Sequence, residues 1–419
     1  MRILQVSKFA HHVGGVETYV GWLVRSLVAD GHDVGVVAMT PPPGRSPMDL
    51  SGATTWFTRR RSFEPGSPDR WRSAALSVWS PEAGATMRRA IREHRPDVVH
   101  FHGTCYQLTS SVVRAAREAG VPAVLTAHEY KLVCANQTLF SDPDGTICTD
   151  CVGRSPLHRA LAPVERRCMK GSLAVSVLGA AEQLVSAPQW RRSGPRILAP
   201  SDFMRGIIAD EGWAAAAVEY LDLPWRSEAE DVLPADGPRD AIVFASRLVP
   251  LKGPHVLLQA WQRIAHLHPQ VRVELIGDGH QADELRSMIA ADGIPRVDLP
   301  GVTDAAGVRR ALDRAIVTAH PSQCHENSPF ALRESLMAGV PAVVSRVGGM
   351  PEMVGPASGW TVRHDDVEGW AATLDTALRS RLAGSPALVD EVRRRSTTTQ
   401  EHLARLTTVY DEAAHGVRP

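Results

Sequence analysis

The feature that most constrains this chain is a repeated alternation of short, continuously apolar runs with helical stretches. The runs "RILQVS" (2–7), "DVGVVAM" (33–39), "DVVHFHG" (97–103) and "AVLTAH" (123–128) form one set. A second set comprises "AIVFASR" (241–247), "VRVELIGDG" (271–279), "AIVTAHPS" (315–322) and "AVVSRVGG" (342–349). Helical stretches lie between them at 17–30, 107–120, 254–268 and 329–339. Strands that are apolar throughout, rather than on alternate residues, are buried on both faces and indicate parallel sheets covered by helices. The pattern stops at 224–240, "PWRSEAEDVLPADGPRD", which is rich in Pro, Asp and Glu and lacks periodicity, and then restarts. A chain of 419 residues is too long for one ordinary core. The spacing therefore predicts two doubly wound, Rossmann-like α/β domains of comparable size, 1–224 and 225–397. Ligands of such sheets bind at the carboxyl ends of the strands, so two facing sheets would enclose a deep cleft.

Composition narrows the class. A 44% hydrophobic and 22% charged chain reads as a soluble globular enzyme, and a net charge of zero lends no support to a nucleic-acid partner. No apolar run approaches the roughly 20 residues needed to span a bilayer. The opening "MRILQVSKFA" reads as a strand and not as a signal peptide, so a cytoplasmic location is expected, with weak peripheral membrane association left open. Of 46 basic residues, only Lys8, Lys131, Lys170 and Lys252 are lysine. A lysine that persists under such a bias is suspect of needing its compact point charge.

The segments with chemistry cluster at strand ends. "HHVGGVETYV" puts Gly14 and Gly15 before a helix, where glycines allow close backbone approach and leave N–H groups for an anionic or sugar ligand; the same pair also makes an ordinary turn. "ASRLVPLKG" carries Arg247 and Lys252 beside a helix start, two cations placed to hold a diphosphate. "IGDG" follows, with Asp278 as a turn former, and "VGGMPEMV" places Gly348 and Gly349 where backbone must approach something closely. Between these lies "HENSPFALRESLMAGVP" (325–341). Glu326 sits in a loop, because Pro329 pushes Ser328 out of the α region, whereas Glu334 stands about one turn inside a helix. Carboxylates accept hydrogen bonds from vicinal hydroxyls, while cations and helix N–H groups hold phosphates. Glu334 thus suits ribose hydroxyls and Glu326 the sugar of a nucleotide-sugar. The alternative is that both acids only favour a helix N-terminus electrostatically.

The ordered set "SRLVPLKG", "IGDG", "HPS", Glu326-x7-Glu334 and "AGVPAVVS…GGMPE" resembles the retaining glycosyltransferases of family GT4, which have the GT-B fold. "GGVETYV" and "DVVHFHG" resemble that family's first domain, so the likeness covers nearly the whole chain. It implies transfer of a sugar from a UDP-, GDP- or dTDP-linked donor to a hydroxyl of a small-molecule or glycan acceptor. Natural-product or cell-surface glycan biosynthesis is the expected setting, without a catalytic metal. On this resemblance Arg247 and Lys252 would neutralise the leaving diphosphate, and the N–H groups around Phe330 and Ala331 would cap the distal phosphate. Glu326 would contact the donor sugar, Gly14 and Gly15 would close against the phosphate, and His128 in "LTAHEY" would meet the donor sugar or the acceptor. The leaving phosphate is itself a candidate for the acceptor's proton, so no base is named. A helix from 398 to 419 would cross back to the first domain. Two stretches depart from the family. Its usual "EGFG" is here "ENSP", so Asn327 and Ser328 add side-chain donors, and "YLDLPW" (220–225) replaces an Asn-Gly turn. The rival reading is a non-catalytic carbohydrate-binding scaffold of the same fold.

Four of the six cysteines, Cys134, Cys148, Cys151 and Cys168, fall within 131–171, around "CTDC". A C-x2-C pair closes a tight turn suited to tetrahedral zinc. The segment is rich in Pro, Gly and Asp, so a structural zinc is expected to supply its folding energy. An iron–sulfur cluster, two disulfides or buried thiols are the alternatives. A subset of the GT4 family carries a similar insertion after the first-domain histidine, and here it is expected to shape the acceptor side. Cys105 and Cys324 read as packed thiols. His100 and His102, on one face of a strand, read as strand-end structure and not as a metal pair.

Overall fold

The computed structural model describes residues 1–61, 70–225, 232 and 237–416; of the expected linker, 226–231 and 233–236 lie outside the described residues. The chain divides into two compact units, Met1–Leu221 with Leu403–Pro419, and Asp222–His402.

In unit 1 the strands are β1 (Arg2–Phe9), β2 (Asp33–Met39), β3 (Thr54–Thr58), β4 (Val98–Phe101) and β5 (Ala123–Thr126), then a short hairpin of β6 (Phe140–Ser141) and β7 (Thr146–Ile147), then β8 (Arg196–Ala199) and β9 (Val218–Tyr220). Seven of them form one sheet in the order β3-β2-β1-β4-β5-β8-β9, with every pairing parallel. Ile3, Leu4 and Val6 of β1 and Val34, Val36 and Val37 of β2 are all buried, because helices cover both faces. The helix Gly15–Ala29 turns Tyr19, Val20, Leu23, Val24 and Leu27 onto the sheet at helical spacing. The C-terminal helix Thr399–Ala414 inserts Leu406, Val409 and Tyr410 into unit 1.

In unit 2 the strands are β10 (Ala241–Ala245), β11 (Arg272–Ile276), β12 (Val297–Gly301), β13 (Ala315–His320), β14 (Ala342–Ser345) and β15 (Gly359–Val362). They form a second wholly parallel sheet in the order β12-β11-β10-β13-β14-β15. Its core centres on Trp261 and Trp370 from helices Pro254–Ile264 and Val367–Arg379, packed over Ile242, Phe244, Val273 and Val317. Both units are Rossmann-like, as the apolar runs predict. Among the described residues no helix is long and apolar enough to cross a membrane.

Candidate functional site

An open parallel sheet binds ligands where its strand order reverses, above the carboxyl ends of the two strands flanking that point. In unit 2 that point lies between β10 and β13. The segment leaving β10 carries Arg247 and Lys252, and the segment leaving β13 carries Pro321 to Asn327. The Lys252 ammonium pairs with the Glu326 carboxylate, which also lies 3.4 Å from the Ser322 hydroxyl. Two glycines let these loops meet. Gly253 has φ 69°, and a side chain there would run into the Pro321 carbonyl. Gly348 has φ 63°, and a side chain there would run into the Glu326 backbone. The Gly349 N–H donates to the Glu326 carbonyl at 2.7 Å. The close approach read from "VGG" is therefore to Glu326 itself.

Burial is the largest influence on the Glu326 carboxyl and pushes it up. Lys252, Arg247 and Ser322 outweigh it, so the group is held below its ordinary value and stays ionised. Nearby His320 is pushed down to about 4 by burial, with Lys252 adding to the effect. Cys324 is a buried thiol pushed up to about 12, again by burial first.

The helix Phe330–Met337 starts after Pro329, which serves as its N-cap. Glu334 reaches solvent, yet its surroundings are crowded enough that desolvation pushes its carboxyl above the ordinary range. Ser328 turns inward rather than into open space. It is buried, and its hydroxyl oxygen accepts from Arg333. The sequence reading passed over Arg333. This fully buried guanidinium donates to Asp222 Oδ1 at 2.7 Å and to the Leu223 carbonyl. It lies 5.2 Å from the ring centre of Trp225 and 5.7 Å from that of Phe330. Asp222 in turn accepts from Trp225 Nε1 at 2.6 Å and Thr397 Oγ1 at 3.2 Å, and its carbonyl accepts from His402 Nδ1 at 2.7 Å. "YLDLPW", which replaces the family's Asn-Gly turn, thus supplies the partners of Arg333. The residue type at 222 was the available signal, but its partner lies 111 positions away.

In unit 1 the order reverses between β1 and β4. Gly14 and Gly15 are exposed there, and space around the Gly14 α-carbon is open. The Gly14 N–H is already taken, because it donates to Glu17 Oε2 at 2.9 Å. His128 follows β5 and is pushed down to about 4 by burial, so it is neutral at physiological pH. Its Nε2 lies 3.3 Å from His102 Nδ1. His102 Nε2 donates to Gln5 Oε1 at 2.7 Å, and Gln5 Nε2 donates to Tyr410 Oη at 3.2 Å. Tyr410 donates to His100 Nδ1 at 2.6 Å, and His100 Nε2 donates to Thr126 Oγ1 at 2.8 Å. The amide orientation of Gln5 gives this chain one direction and makes His128 Nε2 the donor to His102. His100 and His102 are thus structural, as expected. Three of the four lysines hold buried or half-buried ion pairs: Lys8 with Glu129 at 2.9 Å, Lys131 with Glu182 at 2.5 Å, and Lys252 with Glu326. Cys105, another buried thiol, donates to Glu129 Oε1 at 2.8 Å.

The zinc expected at Cys134, Cys148, Cys151 and Cys168 finds no support in the arrangement of these side chains. The four line one cavity of about 20 Å³ as free cysteines. Among the described residues, however, no group of three or more His, Cys, Asp or Glu side chains is arranged to hold a metal ion. Val133, Leu139, Phe140, Ala162 and Met169 are buried, and Asn136 Nδ2 donates to the carbonyls of Phe140 and Cys168. Burial first, then the neighbouring cysteines, pushes Cys151 and Cys168 up to about 12. The apolar residues of 131–171 are scattered among turns, which hid this small core from a reading by composition.

Comparison with known proteins places this geometry. The Anabaena HepE protein in complex with UDP superposes with a TM-score of 0.65 at 16% identity, covering 98% of this chain and all of that one. Two parallel Rossmann-like units are the architecture of the GT-B fold. The description "Glycosyl transferase 4-like domain" matches residues 14–185, and "Glycosyl transferases group 1" matches residues 226–395. The chain belongs to the GT4 family of glycosyltransferases. The D-inositol 3-phosphate glycosyltransferase of Saccharomonospora viridis is 30% identical over 295 residues, 66% of this chain and 61% of that protein. This chain therefore spans less than two thirds of that relative's length. The protein of the same name from Frankia alni is 28% identical over 393 residues, 88% of each chain.

Proposed function

We propose that this chain transfers a sugar from a nucleotide diphosphate to a hydroxyl of a small-molecule or glycan acceptor, with retention at the anomeric carbon. The observation that carries the reading is the Lys252–Glu326 pair, beside Arg247, at the strand-order reversal of unit 2. Without donor, Glu326 compensates the Lys252 charge. A diphosphate arriving there would give both cations a polyanionic partner and release the Glu326 carboxylate to accept from sugar hydroxyls. Fixed positive charge where the leaving group gains negative charge is the largest catalytic contribution such a site can make. The first amides of the helix Phe330–Met337 have no carbonyl partner within the helix, which suits the distal phosphate, and Glu334 suits the ribose. Unit 1 would supply the acceptor side, with neutral His128 among its groups. Natural-product or cell-surface glycan assembly is the setting we favour.

The Anabaena complex makes UDP the first nucleotide to try, and the inositol-phosphate relatives make a polyol phosphate the first acceptor. Calorimetric titration of the full chain with UDP and GDP should show binding to one of them, weakened about tenfold or more in Lys252→Met. No heat with either nucleotide would overturn the reading. Product anomeric configuration, read from proton NMR coupling, should match that of the donor, and inversion would remove the retaining assignment.

A further inference from the structure

The helices Pro156–Glu165 and Leu173–Ser193 of unit 1 are built the wrong way round for water. Along the longer one, Ser176, Glu182, Gln183 and Ser186 point inward, while Leu173, Val177 and Leu184 point out. The inward polar groups have work there: Glu182 pairs with Lys131, and the Ser176 hydroxyl accepts from the Met169 N–H. Nothing comparable accounts for the outward leucines, since a helix in water keeps its apolar stripe on the core side. The shorter helix adds Leu157 and Leu161, one turn apart and 67% and 48% exposed. Among the described residues ten large apolar side chains are exposed, and these two helices hold five of them. Such clustering marks an interaction surface rather than ordinary surface scatter. A groove of about 320 Å³ runs between the helices, floored by Leu184, Ala187 and Pro188 and edged by Arg191 and Arg192.

Charge decides the occupant. From 154 to 192 the chain carries seven basic residues, but only two acids, Glu165 and Glu182, the latter buried against Lys131. Arg154, Arg167, Lys170, Arg191 and Arg192 are exposed around the ends of the two helices, in a protein whose net charge is zero. A second copy docking through the same face would set these cations against themselves. An anionic lipid surface satisfies both features at once, with acyl chains for the leucines and headgroups for the arginines. We propose that these two helices dock unit 1 on the surface of an anionic bilayer. The longer helix, about 30 Å from end to end, would lie in the plane of the interface.

The test is co-sedimentation of the full chain with phosphatidylcholine vesicles and with vesicles containing about 30 mol% phosphatidylglycerol. Binding is expected to the anionic vesicles and to weaken as salt rises. Arg192→Ala and Arg154→Ala should each reduce partitioning about fivefold. The triple variant Leu157→Ser, Leu161→Ser, Leu184→Ser should reduce it about tenfold or more. All five side chains are exposed, so an unchanged melting temperature and unchanged UDP titration confirm that the variants fold. Indifference to lipid charge, or to the serine substitutions, overturns the proposal. So does a concentration-dependent dimer, seen by light scattering, that the serine variant dissolves, because it assigns the face to a second copy. Sedimentation reads no chemistry, so its failure would leave the proposed transfer reaction untouched.

Discussion

Glu326 and Glu334 lie eight positions apart and behave in opposite ways, although the sequence presents them as a pair. Glu326 is enclosed, and cations hold its carboxyl below the ordinary range; Glu334 reaches solvent, and desolvation alone pushes its carboxyl above it. A carboxylate locked to a lysine is positioned before any ligand arrives, which suits a group that acts on the reacting sugar. One with no fixed cation among the described residues suits reversible binding of ribose hydroxyls. Glu334→Ala is therefore expected to weaken UDP binding about tenfold, the cost of about one or two hydrogen bonds to a charged group, with kcat little changed. Glu326→Gln should lower kcat by about 100-fold or more while UDP alone binds as well or better, because Lys252 loses its internal competitor. Titration calorimetry beside steady-state kinetics separates the two, and equal losses in both constants from both variants would show that the acids share one task. The residue types were legible in the sequence, as was the need for glycine at 348. The pairing of Lys252 with Glu326 across 74 positions was not, because nothing in the local pattern records which lysine meets which acid.

Among the elements, legibility followed burial. All eight apolar runs became strands, β1, β2, β4, β5, β10, β11, β13 and β14. Apart from the short hairpin β6–β7, the strands that the pattern did not announce lie toward the edges of the two large sheets: β3, β9, β12 and β15, together with β8 one place inside. Edge strands are half-covered and tolerate polar residues or proline, as in "TTWFT" and "VDLPG", so their apolar signal fades. The helix Phe330–Met337 was foreseen, but its anchor was not. Arg333 fastens it to Asp222, Leu223 and Trp225 and holds Ser328 from the same guanidinium. Removing one partner from a buried pair strands the other, at a cost of about 3–5 kcal/mol. Arg333→Met should therefore lower the denaturation midpoint sharply and weaken nucleotide binding with it, since the helix start loses its brace. Asp222→Asn combined with Arg333→Met should recover part of the stability, because no unpaired charge remains. A double variant less stable than the sum of the two singles would show that packing, not charge pairing, dominates at this site.

On the scale of the whole molecule, protonation ties the buried histidines to stability. His320 and His402, both buried in unit 2, are pushed down to about 4, burial being the first cause in each case. Their unfolded counterparts titrate near 6.5. As pH falls below about 6.5 the unfolded chain takes up protons that the native chain refuses, so stability declines until the native groups titrate near 4. Between about pH 7 and 5 each such histidine costs about 2 kcal/mol, a substantial share of the ~5–15 kcal/mol that holds a typical domain together. Asp222 works in the opposite sense, since burial raises its carboxyl in the native state. Glu326 stays ionised over this interval, because its carboxyl is held below its ordinary value. The expected result is a melting temperature that drops several degrees from about pH 7 to 5 while UDP binding at low temperature persists. His402 Nδ1 donates to the Asp222 carbonyl, and glutamine can supply that hydrogen bond without titrating. His402→Gln should flatten the pH dependence of the melting temperature measurably. An equally steep dependence in that variant would move the origin of acid sensitivity away from this histidine.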